Sequence, residues 1–177
     1  MRCMSLIGVI SDTHGRLPRR AYDALADCNR IIHAGDICDP AIIRELETLA
    51  PVVAMLGNND FDEYGAHVGR YAHPVIDGVK FLVAHYPRDV RLSSLGTGAL
   101  AAGDPIPDVC IHGHTHVPRL EYGKEVRPAQ YLVCPGSVTF PRGGFPPSIA
   151  KIAVSSGAVQ SIKIESIYGD TLMHVGQ

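Results

Sequence analysis

The chain lacks the features that would commit it to a membrane, a disulfide framework or a nucleic-acid groove. No apolar run approaches the ~20 residues of a membrane span. The N-terminal run is short, cut off by Asp12 and His14, and lacks the apolar length and cleavage site of a secretory leader. The five cysteines, Cys3, Cys28, Cys38, Cys110 and Cys134, are odd in number and form no C-x-x-C pair. Single buried thiols in a reducing, cytoplasmic setting are therefore the expectation. Lysines and arginines form no run and the formal net charge is −2. That balance excludes extended nucleic-acid binding but leaves room for a small phosphate pocket.

What remains is enough for a real core. At 177 residues, 46% hydrophobic and 19% charged, the chain reads as one globular domain spanning residues 1–177. Its first half alternates apolar runs with helical patterns. "LIGVIS" reads as a buried strand, "RLPRRAYDALADC" as a helix and "RIIHA" as a second strand. Asp39 then caps a helix that begins at Pro40 and runs through "PAIIRELETLA", and "PVVAML" forms a third strand. This order implies a parallel sheet with crossover helices.

Past residue 70 the pattern changes. "YAHPVIDGVKFLVAH" is a hairpin turning at Asp77-Gly78. "SLGTGALAAG" suggests a glycine-weakened helix, and "DVCIHGH" a short strand running into a loop. "RLEYGKEV" and "QYLVCPGSV" read as further strands, and the tail as a hairpin turning at Ser156-Gly157. The expected class is α/β, with two packed mixed β-sheets flanked by helices.

The polar residues fall in a pattern. "SDTHG" follows the first strand, "AGD" the second and "GNND" the third. "AHYP" ends the later hairpin and "HGHTH" follows the strand after it. Ligands of open α/β sheets gather beyond the carboxyl ends of the strands. Five distant segments would thus bring Asp12, His14, Asp36, Asn58, His85, His114 and His116 to one rim. Asp12 and His14 are two residues apart, as are His114 and His116. In extended backbone, such side chains leave on one face with alpha carbons roughly 6.5 Å apart.

This oxygen-and-imidazole set without thiolate suits Mn, Fe, Zn, Co or Ni better than calcium or a cysteine-bound structural zinc. Seven ligands are too many for one tetrahedral ion and right for two ions sharing a carboxylate. Two divalent ions, two aspartates and a hydroxide leave a net charge of +1, which would attract an anionic phosphate ester.

Together these blocks resemble the calcineurin-like metallophosphoesterase superfamily, whose signature runs D-x-H, G-D, G-N-H-[DE], a lone His and G-H-x-H. Here they read Asp12-Thr13-His14, Gly35-Asp36, Gly57-Asn58-Asn59-Asp60, His85 and Gly113-His114-Thr115-His116, in the same order. The small size and the later "PGSV" are similar to the compact bacterial and archaeal phosphodiesterase branch. The resemblance implies a four-layer αββα sandwich that binds two divalent metal ions, Mn first among them. It assigns Asp12, His14, Asp36 and His116 to one ion. Asp36 would bridge to a second ion, completed by Asn58, His85 and His114. It further implies a phosphodiesterase in which a hydroxide bridging the two ions attacks phosphorus, on a small phosphodiester substrate. Asn59 and Asp60 would stand at the catalytic position, Asp60 either orienting neighbouring loop groups or fixing the turn, and the protein would assemble as a homodimer or homotetramer.

Two positions depart from the pattern. Asn59 replaces the superfamily histidine and can donate a hydrogen bond to phosphate but not a proton. Cys134 stands where related chains frequently have asparagine. His112 is expected to pack or to orient its neighbours. His33, His67, His73 and His174 are expected to be ordinary surface or satisfied histidines, and Arg16 and Arg142 solvated. The competing readings are a protein-binding scaffold of the same fold, as in a retromer subunit, a nuclease, and a phosphomonoesterase. The scaffold has no need of both the D-x-H and the H-x-H pair, and this chain keeps both.

Overall fold

Parallel crossovers near the N-terminus build the first sheet. β1 (Ser5–Ile10) is followed by α1 (Arg19–Ala24), β2 (Arg30–His33), α2 (Pro40–Glu47) and β3 (Val52–Ala54). β1 pairs in parallel with β2, and β2 with β3. The computed structural model describes residues 4–92 and 99–176. Half of the helix expected over residues 94–103, residues 94–98, therefore lies outside the described residues; those from 99 onward form turns and bends.

Local chemistry sets the helix limits. The Asp39 carboxylate accepts the Ala41 N–H at 2.8 Å, and Pro40 occupies the first turn where no donor is missed. α1 is shorter than the expected span of 16–28. Pro18 stands at its N-cap, and a proline ring keeps the residue before it out of helical backbone. Gly8 explains how closely α1 packs: a Cβ there would overlap Leu25 and Cys28.

The second sheet uses β4 (Tyr71–Ala72), β5 (Val75–Ile76), β6 (Val79–Ala84), β7 (Val109–Ile111), β8 (Arg119–Tyr122) and β9 (Tyr131–Cys134), in the order β4-β6-β7-β9-β8 with β5 on β6. The short α3 (Pro87–Val90) follows β6. The strand expected over 119–126 stops at Tyr122 and passes into a 3-10 turn, Gly123–Val126. The expected Asp77-Gly78 turn is present, with φ of 48° and 83° between the paired residues Ile76 and Val79. These are the angles of a two-residue hairpin turn with both central residues left-handed.

The C-terminal hairpin joins β10 (Ser148–Ser155) to β11 (Ala158–Ser166) through Ser156-Gly157. A further strand, β12 (Thr171–Gly176), was not anticipated. These three complete the first sheet in the order β12-β11-β10-β1-β2-β3. Alternation along the strands divides the core. Ile7 and Val9 of β1 meet Phe81 and Val83 of β6 between the sheets. Ile10 turns outward under Ala21, Leu25 and Leu46 of the helical layer. Leu82 and Cys110 lie on the far face of the second sheet with Val90 of α3. The fold is the expected two-sheet α/β sandwich. Among the described residues, its second helical layer is reduced to α3 and turns. The carboxyl ends of β1, β2, β3, β6, β7 and β9 share one rim.

Candidate metal centre

All five polar segments reach that rim, by a route the sequence reading did not foresee. Asp12, His14, His114 and His116 are not in extended backbone. Their φ angles are 53°, 47°, 67° and 61°, and Asp36 and Cys38 add 54° and 63°. These six account for all but two of the eight non-glycine residues with left-handed φ among the described residues. Such backbone is costly and persists where the surroundings fix it. The D-x-H and H-x-H pairs therefore converge through tight left-handed turns rather than strand alternation. Hydrogen bonds lock these turns: the Asp12 amide donates to Gly35 O, His14 to Asp36 O and Gly15 to Ile37 O.

Asp12 is fully buried. Its Oδ2 accepts from the Ser11 hydroxyl at 2.6 Å and from the His114 amide at 3.1 Å. Its Oδ1 takes no hydrogen bond at all. Three imidazole nitrogens face it: His116 Nε2 at 3.2 Å, His14 Nε2 at 3.9 Å and His85 Nε2 at 4.0 Å. Burial opposes its charge, yet the His116 and His85 rings and the Ser11 hydroxyl outweigh that and hold the carboxyl below its ordinary range.

Two of these rings have their tautomers fixed from behind. His85 Nδ1 lies 2.8 Å from Ala34 O and His116 Nδ1 lies 2.7 Å from Phe140 O. A carbonyl only accepts, so both Nδ1 atoms carry the proton and both Nε2 atoms offer lone pairs. The His85 lone pair points at another acceptor, Asn58 Oδ1, at 3.1 Å, and His114 Nδ1 reaches the same oxygen at 2.9 Å. Burial and His85 push the His114 imidazole below its usual range, favouring its neutral, ligating form.

Asp36 stands between the two halves. Its Oδ1 is 3.5 Å from His85 Nε2 and its Oδ2 is 3.7 Å from His14 Nε2. The ligand atoms fall into two overlapping groups, Asp12–His14–His116 and Asp12–Asp36–His85, with Asp12 common to both. Buried oxygens and inward lone pairs without donors are what a cation would complete, and the residues present fit divalent metal.

Asn59 and Asp60 take other parts. Asn59 donates its amide N–H to Asp36 Oδ1 at 2.9 Å and its side-chain NH2 to Oδ2 at 2.7 Å. It steadies a ligand rather than reaching outward. The Asp60 carboxylate accepts from the amides of Ile37, Cys38 and Gly57 and from the Tyr64 hydroxyl. Its lone pairs are filled, and it joins the second and third polar loops.

Several supporting residues escaped sequence reasoning. His33 is the satisfied alternative rather than the surface one, and is fully buried, in a supporting place the sequence did not indicate. Its Nδ1 accepts from the Gly35 amide at 3.3 Å, so its Nε2 donates to Thr13 Oγ1 at 3.0 Å, and the Thr13 hydroxyl donates to Ile37 O at 3.1 Å. Burial drives this imidazole down to about 4, which keeps it neutral. Ser137 and Thr139 both donate to Asp12 O, at 2.8 and 2.9 Å. The "PGSV" stretch carried this signal without its meaning. Cys134 is a buried thiol behind the H-x-H loop, 3.6 Å from Thr115 Oγ1. His112 is buried, with Nδ1 2.8 Å from Gly113 O. Arg16 and Arg142 are exposed, as are His67, His73 and His174.

A two-sheet sandwich that gathers carboxylates, imidazoles and an asparagine at its strand ends defines a class of metal-dependent phosphoester hydrolases. Residues 4–157 match the calcineurin-like phosphoesterase superfamily domain, and the chain belongs to that superfamily. It is 39% identical over 149 residues to a probable metallophosphoesterase of Methanothermobacter thermautotrophicus, covering 77% of this chain and 79% of that one. It is 32% identical over 126 residues to a phosphodiesterase of Methanocaldococcus jannaschii, covering 62% and 72%. In fold it is similar to Vps29 of Entamoeba histolytica complexed with zinc, with a TM-score of 0.70, 20% identity and coverage of 96% and 98%. Among the described residues no helix is long and apolar enough to cross a membrane.

Proposed function

We propose that this protein is a phosphodiesterase that works with two divalent cations held by the Asp12–Asp36 cluster. The observation that carries this reading is Asp12 Oδ1, a buried acceptor without a donor that faces three imidazole nitrogens within 4.0 Å. Asp12, His14 and His116 with Asp36 would hold one cation, and Asp36, His85, Asn58 and His114 the other. Mn suits these donors first, and Fe, Zn, Co and Ni share them. Two bound cations would supply Lewis-acid polarisation of phosphoryl oxygen and a water acidic enough to attack near neutral pH.

The chain itself supplies orientation and charge. Ala34 O and Phe140 O aim the His85 and His116 lone pairs, and Asn59 holds both oxygens of Asp36. The position of the superfamily histidine supplies no acid for the leaving group. Asn59 is engaged with Asp36, and an amide gives no proton at neutral pH. Activated diesters, whose leaving groups depart without protonation, are accordingly the preferred substrates. The relative named a phosphodiesterase supports the choice of diester.

The test pairs elemental analysis with a substrate panel. Mn-loaded protein should carry about two equivalents and cleave bis(p-nitrophenyl) phosphate at least ~10-fold faster than p-nitrophenyl phosphate. Full metal occupancy without diester cleavage from about pH 7 to 9 would overturn the reading and favour a binding role.

A further inference from the structure

A cleft of about 220 Å³ opens beside the Asn58–His85 half of the cluster. Asn58, Asp60, Arg70, His85, Tyr86 and Asp89 line it. Three features make it more than a gap between loops. First, Tyr86 is wedged in place. Its ring meets His114 edge-on at 4.7 Å and His85 at 5.5 Å, while the Arg88 guanidinium covers it at 4.5 Å. Second, the chain entering Arg70 is tied to the third polar loop, because Leu56 N–H donates to Gly69 O at 2.8 Å. Third, Arg70 has no hydrogen bond or ion pair of its own among the described residues, although Asp60 and Asp89 line the same cleft. The Asp60 oxygens are taken by backbone donors and the Tyr64 hydroxyl, and Asp89 Oδ1 lies 3.9 Å from Arg88 Nε, so neither carboxylate is paired with Arg70.

A guanidinium with five free donors, in the same cleft as two candidate cation ligands, is suited to an anion rather than to a sugar or an aromatic ring. The space is also sufficient. At about 30 Å³ per water-sized group, the cleft holds roughly seven such groups, enough for a phosphate or carboxylate and the few atoms linking it to phosphorus. We propose that this cleft receives the part of the substrate beyond the scissile phosphorus and that Arg70 pairs there with a second anionic group. The preferred substrate is then a small phosphodiester carrying a separate phosphate or carboxylate. The inference rests on the diesterase reading but is tested by binding, without turnover.

Calorimetric titration of Mn-loaded protein with methylphosphonate, phosphonoacetate and methylenediphosphonate separates one anion from two, and a carboxylate from a phosphonate. Wild-type protein should bind at least one of the two-anion ligands about tenfold more tightly than methylphosphonate, the scale of a charge-assisted hydrogen bond. Whichever ligand shows the preference identifies the second group. Arg70→Gln should reduce that preference to within about threefold, and Arg70→Lys should keep part of it. Metal removal by a chelating ligand would act equally on all three proteins and cancel in the comparison. A wild-type protein without the preference, or Arg70→Gln that retains it, overturns the inference. Absence of diester cleavage with the preference intact would instead overturn the reaction and leave the anion site standing.

Discussion

At the residue scale, Asp12 concentrates the most consequence. Asp12→Asn keeps the shape but removes the charge from the oxygen that three imidazoles face, and should lose at least one metal equivalent. Hydrolysis should fall on the order of 100-fold, since even residues that only orient ligands cost 10- to 100-fold; metal content and diester rates check both. His33 makes a different claim. Its ring is neutral inside the fold, with a value near 4 against 6.5 unfolded. A depressed imidazole leaves stability intact above about pH 6.5 and erodes it as pH falls toward 4, because only the unfolded chain takes up the proton. The loss should approach about 3 kcal/mol. His33→Ala should flatten that pH dependence while costing about 1–3 kcal/mol at neutral pH through the unpaired Gly35 amide; urea midpoints at several pH values decide it. The seven candidate ligands stood out in the sequence because each sits near a strand end within a recognisable block. His33 could not, since a histidine three residues before Asp36 looks the same in a strand whether its ring meets Thr13 or water.

At the element scale, loops rather than strands set the precision of the site. Gly113 is a case of space alone, because its φ is ordinary and yet a Cβ there would meet Ser11 Oγ and Asp12 Oδ2. Gly113→Ala should cost about 1–3 kcal/mol as overpacking and weaken metal binding, seen as a reduced manganese content after dialysis. Asp39→Ala should instead lower stability by about 1 kcal/mol, a melting shift of about 2–4 °C, with metal content unchanged. The strand order β1-α1-β2-α2-β3 and both two-residue hairpins were legible, because burial periodicity and turn chemistry are local. β12 was not: "TLMHVG" is half exposed at a sheet edge, and among the described residues it pairs with β11 alone. The direction of Asn59 was equally hidden, since it depends on where a carboxylate 23 residues earlier lands.

At the scale of the whole molecule, metal and proton compete for one pocket. The Asp12 carboxylate lifts the His116 imidazole above its usual range, against burial, so the metal-free site takes up a proton there more readily than a free imidazole, in competition with a cation. Manganese affinity should therefore rise with pH across the histidine range, and pH-independent binding between about pH 6 and 8 would contradict the arrangement. Because the ligands come from both sheets, occupancy should also brace the fold. Manganese at about 100 times its dissociation constant should add about 2.7 kcal/mol, or roughly 5–10 °C in melting temperature, reversed by chelator. The left-handed turns carry one more implication. Aspartate, asparagine and histidine tolerate such backbone better than other side chains, and β-branched residues tolerate it poorly. At Asp12, His14, Asp36, His114 and His116, the conformation itself thus narrows the usable donors to carboxylate, amide and imidazole. A shift in metal preference has to come from the surrounding residues, while the ligand alphabet stays fixed.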